Sequence, residues 1–230
     1  MCPRLMLAGG GGANDSKLLD EQFAKWTSSD GKLLYLPIAM DEQRRSYASC
    51  LNWLTSVFRP LGINNIEMWT DLRQHERTQL DQFDSIYIGG GNTFRLLHLL
   101  CAAGFDQALL RFIQRGGAVY GGSAGAIVLG RDILTCEHMN SNNVGLTDMR
   151  GLDVVKGYAI WCHYRPENDV RIAAYVERHN FPVLGLSERT GLCIEGNRFV
   201  VMGFEPAIEF VTNRRRNVRT WESLLPQEGR

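Results

Sequence analysis

Half of the chain's 24 glycines fall in three short stretches, 9–12, 89–91 and 116–125, each beside a short apolar run that gives way to a segment of helical spacing. Glycine opens backbone conformations closed to other residues, so this clustering demands special geometry at three strand–helix junctions. That requirement favours βαβ units and a parallel sheet. Strands are predicted at Arg4–Ala8, Lys32–Pro37, Ile66–Trp69, Ser85–Gly89 and Ala118–Gly121. Between them Lys17–Trp26, Arg44–Arg59, Phe94–Ala103 and Asp106–Arg115 carry apolar residues at helical spacing, as at Leu96, Leu97, Leu100 and Ala103. Crossovers of this length keep neighbouring strands parallel and their connections right-handed.

Beyond Gly130 the pattern changes. Residues 135–151 are polar and aperiodic and read as a long surface loop or flap. Tyr158–Cys162 reads as a strand, and Val170–Arg178 as a helix introduced by Pro166-Glu167-Asn168-Asp169. Val183–Leu186, Gly191–Glu195, Arg198–Met202 and Ile208–Val211 are short strands joined by turns such as Glu195-Gly196-Asn197, an antiparallel meander expected to close one edge of the sheet. No repeat or linker interrupts the 230 residues, so residues 1–230 are expected to form a single α/β domain of three α/β/α layers.

The three clusters differ in chemistry. Residues 9–12 follow a strand and precede a helix, yet Asn14 and Asp15 stand where a dinucleotide fingerprint needs its third glycine, and no Gly-Lys-Ser/Thr follows. They read as a turn lining a cleft, and no cofactor is expected. In the third cluster the strand Ala118-Val119-Tyr120 runs into Gly121-Gly122-Ser123-Ala124-Gly125 and then a helix, the setting of a nucleophile elbow. There the turn exposes the Ser123 hydroxyl, and the amide of Ala124 is one oxyanion donor. The middle cluster, Gly89-Gly90-Gly91 before Asn92, opens onto the same sheet edge, so the amides of Gly90 and Gly91 are candidates for the second half of an oxyanion hole.

A serine nucleophile needs a base, and usually an acid to orient it. His163 closes the strand Tyr158–Cys162 downstream of Ser123 and is the expected base, with His138 in the long loop as its rival. For the acid, Glu137 and Asp132 follow the elbow helix closely and Glu188 ends a later strand. Glu137 is the expected choice and Asp132 the next. Cys136-Glu137-His138 and Cys162-His163 match no zinc spacing, so no metal is expected.

Lys plus Arg and Asp plus Glu each number 25, giving a formal net charge of zero, which argues against a polyanion-binding surface. The run Arg214-Arg215-Arg216 with Arg219 lacks interleaved aromatics and reads as a solvated or subunit-facing strand end, leaving a homodimer open. No apolar stretch is long enough to span a membrane or to form a secretory signal, and the six scattered cysteines suit a reducing compartment. The expectation is a soluble cytoplasmic protein without nucleic-acid or membrane partners.

Gly89-Gly90-Gly91-Asn92-Thr93-Phe94-Arg95-Leu96-Leu97, Gly121-Gly122-Ser123-Ala124-Gly125-Ala126 and the strand-end His163 together resemble the peptidase E (aspartyl dipeptidase) family of serine peptidases, which also holds cyanophycinase. The resemblance spans roughly residues 1–210. It implies a fold like that of class I glutamine amidotransferases, with serine in place of cysteine. It further implies Ser123 as nucleophile, His163 as base, the amides of Gly91 and Ala124 as oxyanion donors, and an acid in the segment after the elbow helix. Family members cleave dipeptides after an amino-terminal Asp, read by basic side chains following the base. Arg165 and Arg171 stand there, with Asn92 as a further binding residue. The expected function is that of a serine exopeptidase for short peptides with an acidic first residue. An α/β-hydrolase-like esterase and a non-catalytic amidotransferase-like binding protein are the alternatives.

Overall fold

Alternating side chains along the central strands set the layers. In a computed structural model, which describes residues 2–28 and 30–224, β1 (Arg4–Ala8), β2 (Lys32–Leu36), β3 (Asn65–Met68), β4 (Ser85–Ile88) and β5 (Ala118–Gly122) are the strands of the first half. They interleave with α1 (Ala13–Ala24), α2 (Tyr47–Phe58), α3 (Thr93–Ala102) and α4 (Phe105–Gln114). Leu5, Leu7, Leu34, Leu36, Ile86, Ile88 and Val119 face the side covered by α3 and α4. Met6, Leu33, Tyr35, Tyr87 and Tyr120 face the side covered by α1 and α2. On that second face Tyr87 stacks on Tyr120 with centroids 4.5 Å apart, and Phe23 and Phe58 meet the pair edge-on. Such contacts add about 0.5–1.5 kcal/mol per pair to the burial itself.

The five strands are parallel, in the order β3-β2-β4-β5-β1. A hairpin of β8 (Thr190–Glu195) and β9 (Arg198–Gly203) then continues the sheet antiparallel from β1, giving seven strands. The remaining strands do not join this edge. β6 (Ala159–Trp161), β7 (Val183–Gly185), β10 (Ala207–Val211) and β11 (Arg214–Val218) form a second sheet in the order β11-β10-β7-β6. The expected meander is therefore split between two sheets, because β8 and β9 occupy the free edge of β1.

One face of the second sheet, with Ile160, Leu184 and Ala207, merges into the main core. Its other face packs Trp161, Val183 and Phe210 against Ile172 and Val176 of α6 (Asp169–His179). The arginine run is this sheet's edge strand and is not free charge. Arg216 Nε lies 2.7 Å and Arg214 Nη2 3.6 Å from the Glu209 carboxylate, which is only 2 % exposed. Arg215 Nε pairs with Asp169 at 2.7 Å. Among the described residues no single helix is long and apolar enough to cross a membrane; α3 and α4 form an apolar pair, bent by 89°.

Candidate active site

Between β5 and α5 (Ala124–Leu129) a single residue, Ser123, turns the chain. Its φ of 50° and ψ of −107° lie outside the regions an ordinary side-chain-bearing residue adopts. The strain persists because surrounding structure over-determines it: the Ser123 N–H donates to the Ala8 carbonyl at 3.0 Å, and every residue of α5 is buried. The turn sets Ser123 in the wall of a cavity of about 350 Å³ at the carboxyl ends of β1, β4 and β5. Ligands of open parallel sheets bind at such ends.

His163 follows β6, again in a left-handed conformation, with φ 52°. Its N–H donates to the Gly9 carbonyl at 2.8 Å. Its Nε2 stands 2.9 Å from Ser123 Oγ, and its Nδ1 3.2 Å from Glu188 Oε1. The carboxylate at the histidine is thus Glu188 and not Glu137. Glu137 is exposed after a 3-10 turn, Leu134–Cys136, and has no hydrogen bond to His163. Asp132 is committed elsewhere, its Oδ1 accepting from Leu134 N at 2.6 Å and from the Tyr175 hydroxyl at 3.0 Å. From the sequence Glu188 is only a strand-end candidate behind Glu137 and Asp132; what brings it to His163 is long-range pairing. β6 and β7 pair in parallel with Trp161 opposite Gly185, so residues shortly after each strand leave the same edge together. His138 stacks on Trp161, with centroids 4.4 Å apart, and burial draws its pKa down; it makes no contact with Ser123 that would qualify it as a base.

The first glycine cluster seats the histidine. Gly10 has φ +134°, and a β-carbon there would collide with the imidazole, 2.6 Å from Nδ1 and nearer still to Cε1. In the middle cluster Gly89 N donates to Leu36 O and Asn92 N to Ala39 O, both at 2.9 Å. The intervening amides of Gly90 and Gly91 have no acceptor among the described residues. Gly91, at φ +144°, is held against the Ala39 carbonyl so closely that no β-carbon fits. The Ala124 amide opens a helix and is likewise without an intrahelical partner. Three free amides flanking a serine that is hydrogen-bonded to histidine can receive a developing oxyanion.

Tyr35, Tyr87, Tyr120 and Ser16 line the same cavity. Behind Ser16, whose hydroxyl donates to Asp20 Oδ2 at 2.7 Å, the Asp20 side chain is buried. Desolvation pushes its carboxyl up to about 6, only partly opposed by the hydrogen bond from Ser16. The folded chain then holds this proton more tightly than the unfolded chain. Stability therefore falls as pH rises from about 4 to 6, and the upward shift from 3.8 to about 6 corresponds to about 3 kcal/mol. Asp20→Asn, which fixes the neutral form, is expected to flatten this dependence in urea titrations at pH 4.5 and 7.5. An unchanged difference between the two pH values would refute the assignment to Asp20.

The remaining expected binding residues are placed otherwise. Asn92 lines an adjoining cavity of about 640 Å³, but its side chain is occupied: Oδ1 accepts from Arg95 N at 3.0 Å, and Nδ2 donates to Ser141 O at 2.8 Å. The Thr93 N–H and hydroxyl both donate to Asn140 Oδ1, at 2.8 and 2.9 Å. The segment predicted as a flap is hereby tied to the start of α3. Arg165 and Arg171 are exposed and line neither cavity. Arg45, which sequence reasoning passed over as part of a helix, lines both.

The model of peptidase family S51 matches residues 5–202. A Streptomyces coelicolor protein named peptidase E is 31 % identical over 135 residues, 54 % of this chain and 54 % of that protein, so the chain spans about half of that relative. A Drosophila melanogaster protein described as "Probable alpha-aspartyl dipeptidase" is 28 % identical over 186 residues, 74 % of this chain and 72 % of that one. Among solved structures, a peptidase from an acI-B1 Actinobacterium superposes with a TM-score of 0.74 at 19 % identity, covering 98 % of this chain and 97 % of the other. A Listeria monocytogenes protein assigned to peptidase E gives 0.71 at 23 % identity, covering 89 % of this chain and all of that one. At these identities the two structures speak for the fold.

Proposed function

The chain belongs to peptidase family S51, and from that premise we propose that it is a serine peptidase acting on short peptides through Ser123, His163 and Glu188. The observation that carries this reading is the Ser123 Oγ to His163 Nε2 contact of 2.9 Å, with Glu188 on the far side of the ring. With the Nδ1 proton directed at Glu188, Nε2 is left as the acceptor of the serine proton. Oγ attacks the scissile carbonyl as His163 takes that proton, and the amides of Gly90 or Gly91 and Ala124 receive the oxyanion. The tetrahedral intermediate collapses to an acyl-serine when the peptide C–N bond breaks, and the leaving amine takes its proton from Nε2. Water, deprotonated by the same nitrogen, then hydrolyses the ester and regenerates Ser123.

The Drosophila relative's name directs the substrate reading towards peptides with an acidic first residue. A fluorophosphonate probe tests the nucleophile: wild type should gain one phosphonyl adduct, mapped to Ser123, and His163→Ala should lose it. An adduct elsewhere, or none, sinks the reading.

Glu188 is 50 % and His163 34 % exposed at the side chain. Solvent therefore screens their interaction. Glu188→Gln is expected to lower kcat by about 10- to 100-fold, less than the roughly 10⁴-fold found for a buried triad aspartate. Glu137→Gln should leave kcat within about twofold of wild type, as exposed side chains away from a site usually do. Equal losses in the two variants would refute Glu188 as the orienting group.

A further inference from the structure

The two cavities share Met40, Arg45 and Gly91, so the space before Ser123 continues over the Gly91 turn into the larger one. Arg44, Arg45 and Arg95 line that larger space, against the single carboxylate of Asp41. Asp41 does not neutralise them. Its Oδ1 accepts the Gln43 N–H at 3.0 Å, and only its backbone carbonyl meets Arg44 and Arg45, accepting their N–H groups at 2.9 and 3.0 Å. Elsewhere the arginines are commonly paired: Arg73 with Asp71, Arg115 with Asp81, Arg189 with Asp15 and Glu205, Arg215 with Asp169. No ion pair within 4.0 Å involves Arg44, Arg45 or Arg95 among the described residues. Arg95 is held in place by its Nε, which donates to Ile38 O at 3.1 Å. In a chain with no formal net charge, this wall beside Ser123 carries three guanidinium groups against one carboxylate, a local excess of positive charge.

We propose that this wall is a carboxylate subsite, in which Arg45, supported by Arg44, binds a substrate carboxylate while the scissile carbonyl lies at Ser123. The inference rests on the peptidase reading and moves anion recognition away from Arg165 and Arg171. A guanidinium offers a planar pair of donors that matches a carboxylate, and such charge-assisted bonds are among the stronger ones available. The carboxylate has two sources, an acidic side chain or the free carboxyl terminus of a dipeptide. Both place the charge a residue's length or so from the attacked carbonyl.

The test reads binding in Ser123→Ala protein, where no turnover intervenes. Asp-Leu, Asn-Leu, Asp-Leu amide and Asn-Leu amide are titrated calorimetrically into Ser123→Ala alone and into the same protein carrying Arg45→Ala, Arg45→Lys, Arg44→Ala or Arg171→Ala. Removing the recognised carboxylate from the peptide should weaken binding by about 10- to 100-fold. Which replacement does so, Asn for Asp or amide for acid, identifies the source. Arg45→Ala should abolish the discrimination, Arg45→Lys should keep part of it, and Arg171→Ala should leave it intact. Discrimination that survives Arg45→Ala, or vanishes with Arg171→Ala, overturns the subsite, as does equal or absent binding of all four peptides. Failure of the peptidase reading shows separately, as an unlabelled Ser123 in the fluorophosphonate experiment on wild type.

Discussion

Replacing Ser123 with alanine is expected to lower kcat for a cleaved dipeptide by about 10⁴- to 10⁶-fold, the span seen when a triad nucleophile is removed. The Oγ at 2.9 Å from His163 Nε2 is the atom that would carry the acyl group. Without it, only positioning and the free amides at Gly90, Gly91 and Ala124 remain to assist attack by water. The loss should fall on kcat, because Oγ contributes little to ground-state binding. His163→Ala should cost a similar factor, and the double variant should be scarcely slower than either single one, since the two side chains act as a unit. Steady-state kinetics on Asp-X, Glu-X and Leu-X dipeptides checks this. Turnover by Ser123→Ala within tenfold of wild type would show that the chemistry runs elsewhere.

Gly10→Ala should damage both stability and turnover. Two independent costs meet there. A φ of +134° is one that residues other than glycine rarely adopt, a strain of about 1–3 kcal/mol. The new β-carbon would also collide with the His163 ring, and the Gly9 carbonyl holds the backbone of His163. Displacing the imidazole by about 1 Å is expected to lower kcat by about 100-fold or more. Gly12→Ala is the control: its β-carbon would have only Asp15 Oδ2 nearby, at 3.8 Å, and its φ is −101°. Urea titration and kcat together distinguish the two substitutions. Gly10→Ala with both quantities at wild-type level would contradict the role given to this glycine.

The strands of the first half are legible because each is an apolar run whose alternation serves both faces of a covered sheet. Their predicted bounds agree with the structure to within a residue or two. The helix predicted over Arg44–Arg59 begins only at Tyr47, because Ser46 caps it by accepting from Ser49 N at 3.2 Å. That leaves Arg44 and Arg45 on a turn beside the cavity instead of on a helix. Ser123 is legible because a local motif records the strain at its turn. Glu188 is not, since its approach to His163 depends on the register of β6 against β7, a long-range pairing. The division of the last strands between two sheets is hidden for the same reason: no local pattern says that β8 takes the edge of β1. The expected roles of Arg165 and Arg171 followed from their order after His163, and order along the chain does not tell which side chains share a cavity.

The proposed nucleophile and base come from different sheets, Ser123 from the end of β5 and His163 from beyond the end of β6, and neither residue has a backbone conformation that a strand or helix could enforce. Yet their amides hang from consecutive carbonyls, Ala8 and Gly9, where β1 runs out. Two consecutive peptide units thus act as a common datum for both residues. The spacing between serine and imidazole is thereby referred to one short segment that both sheets share, and not to the packing of one sheet against the other.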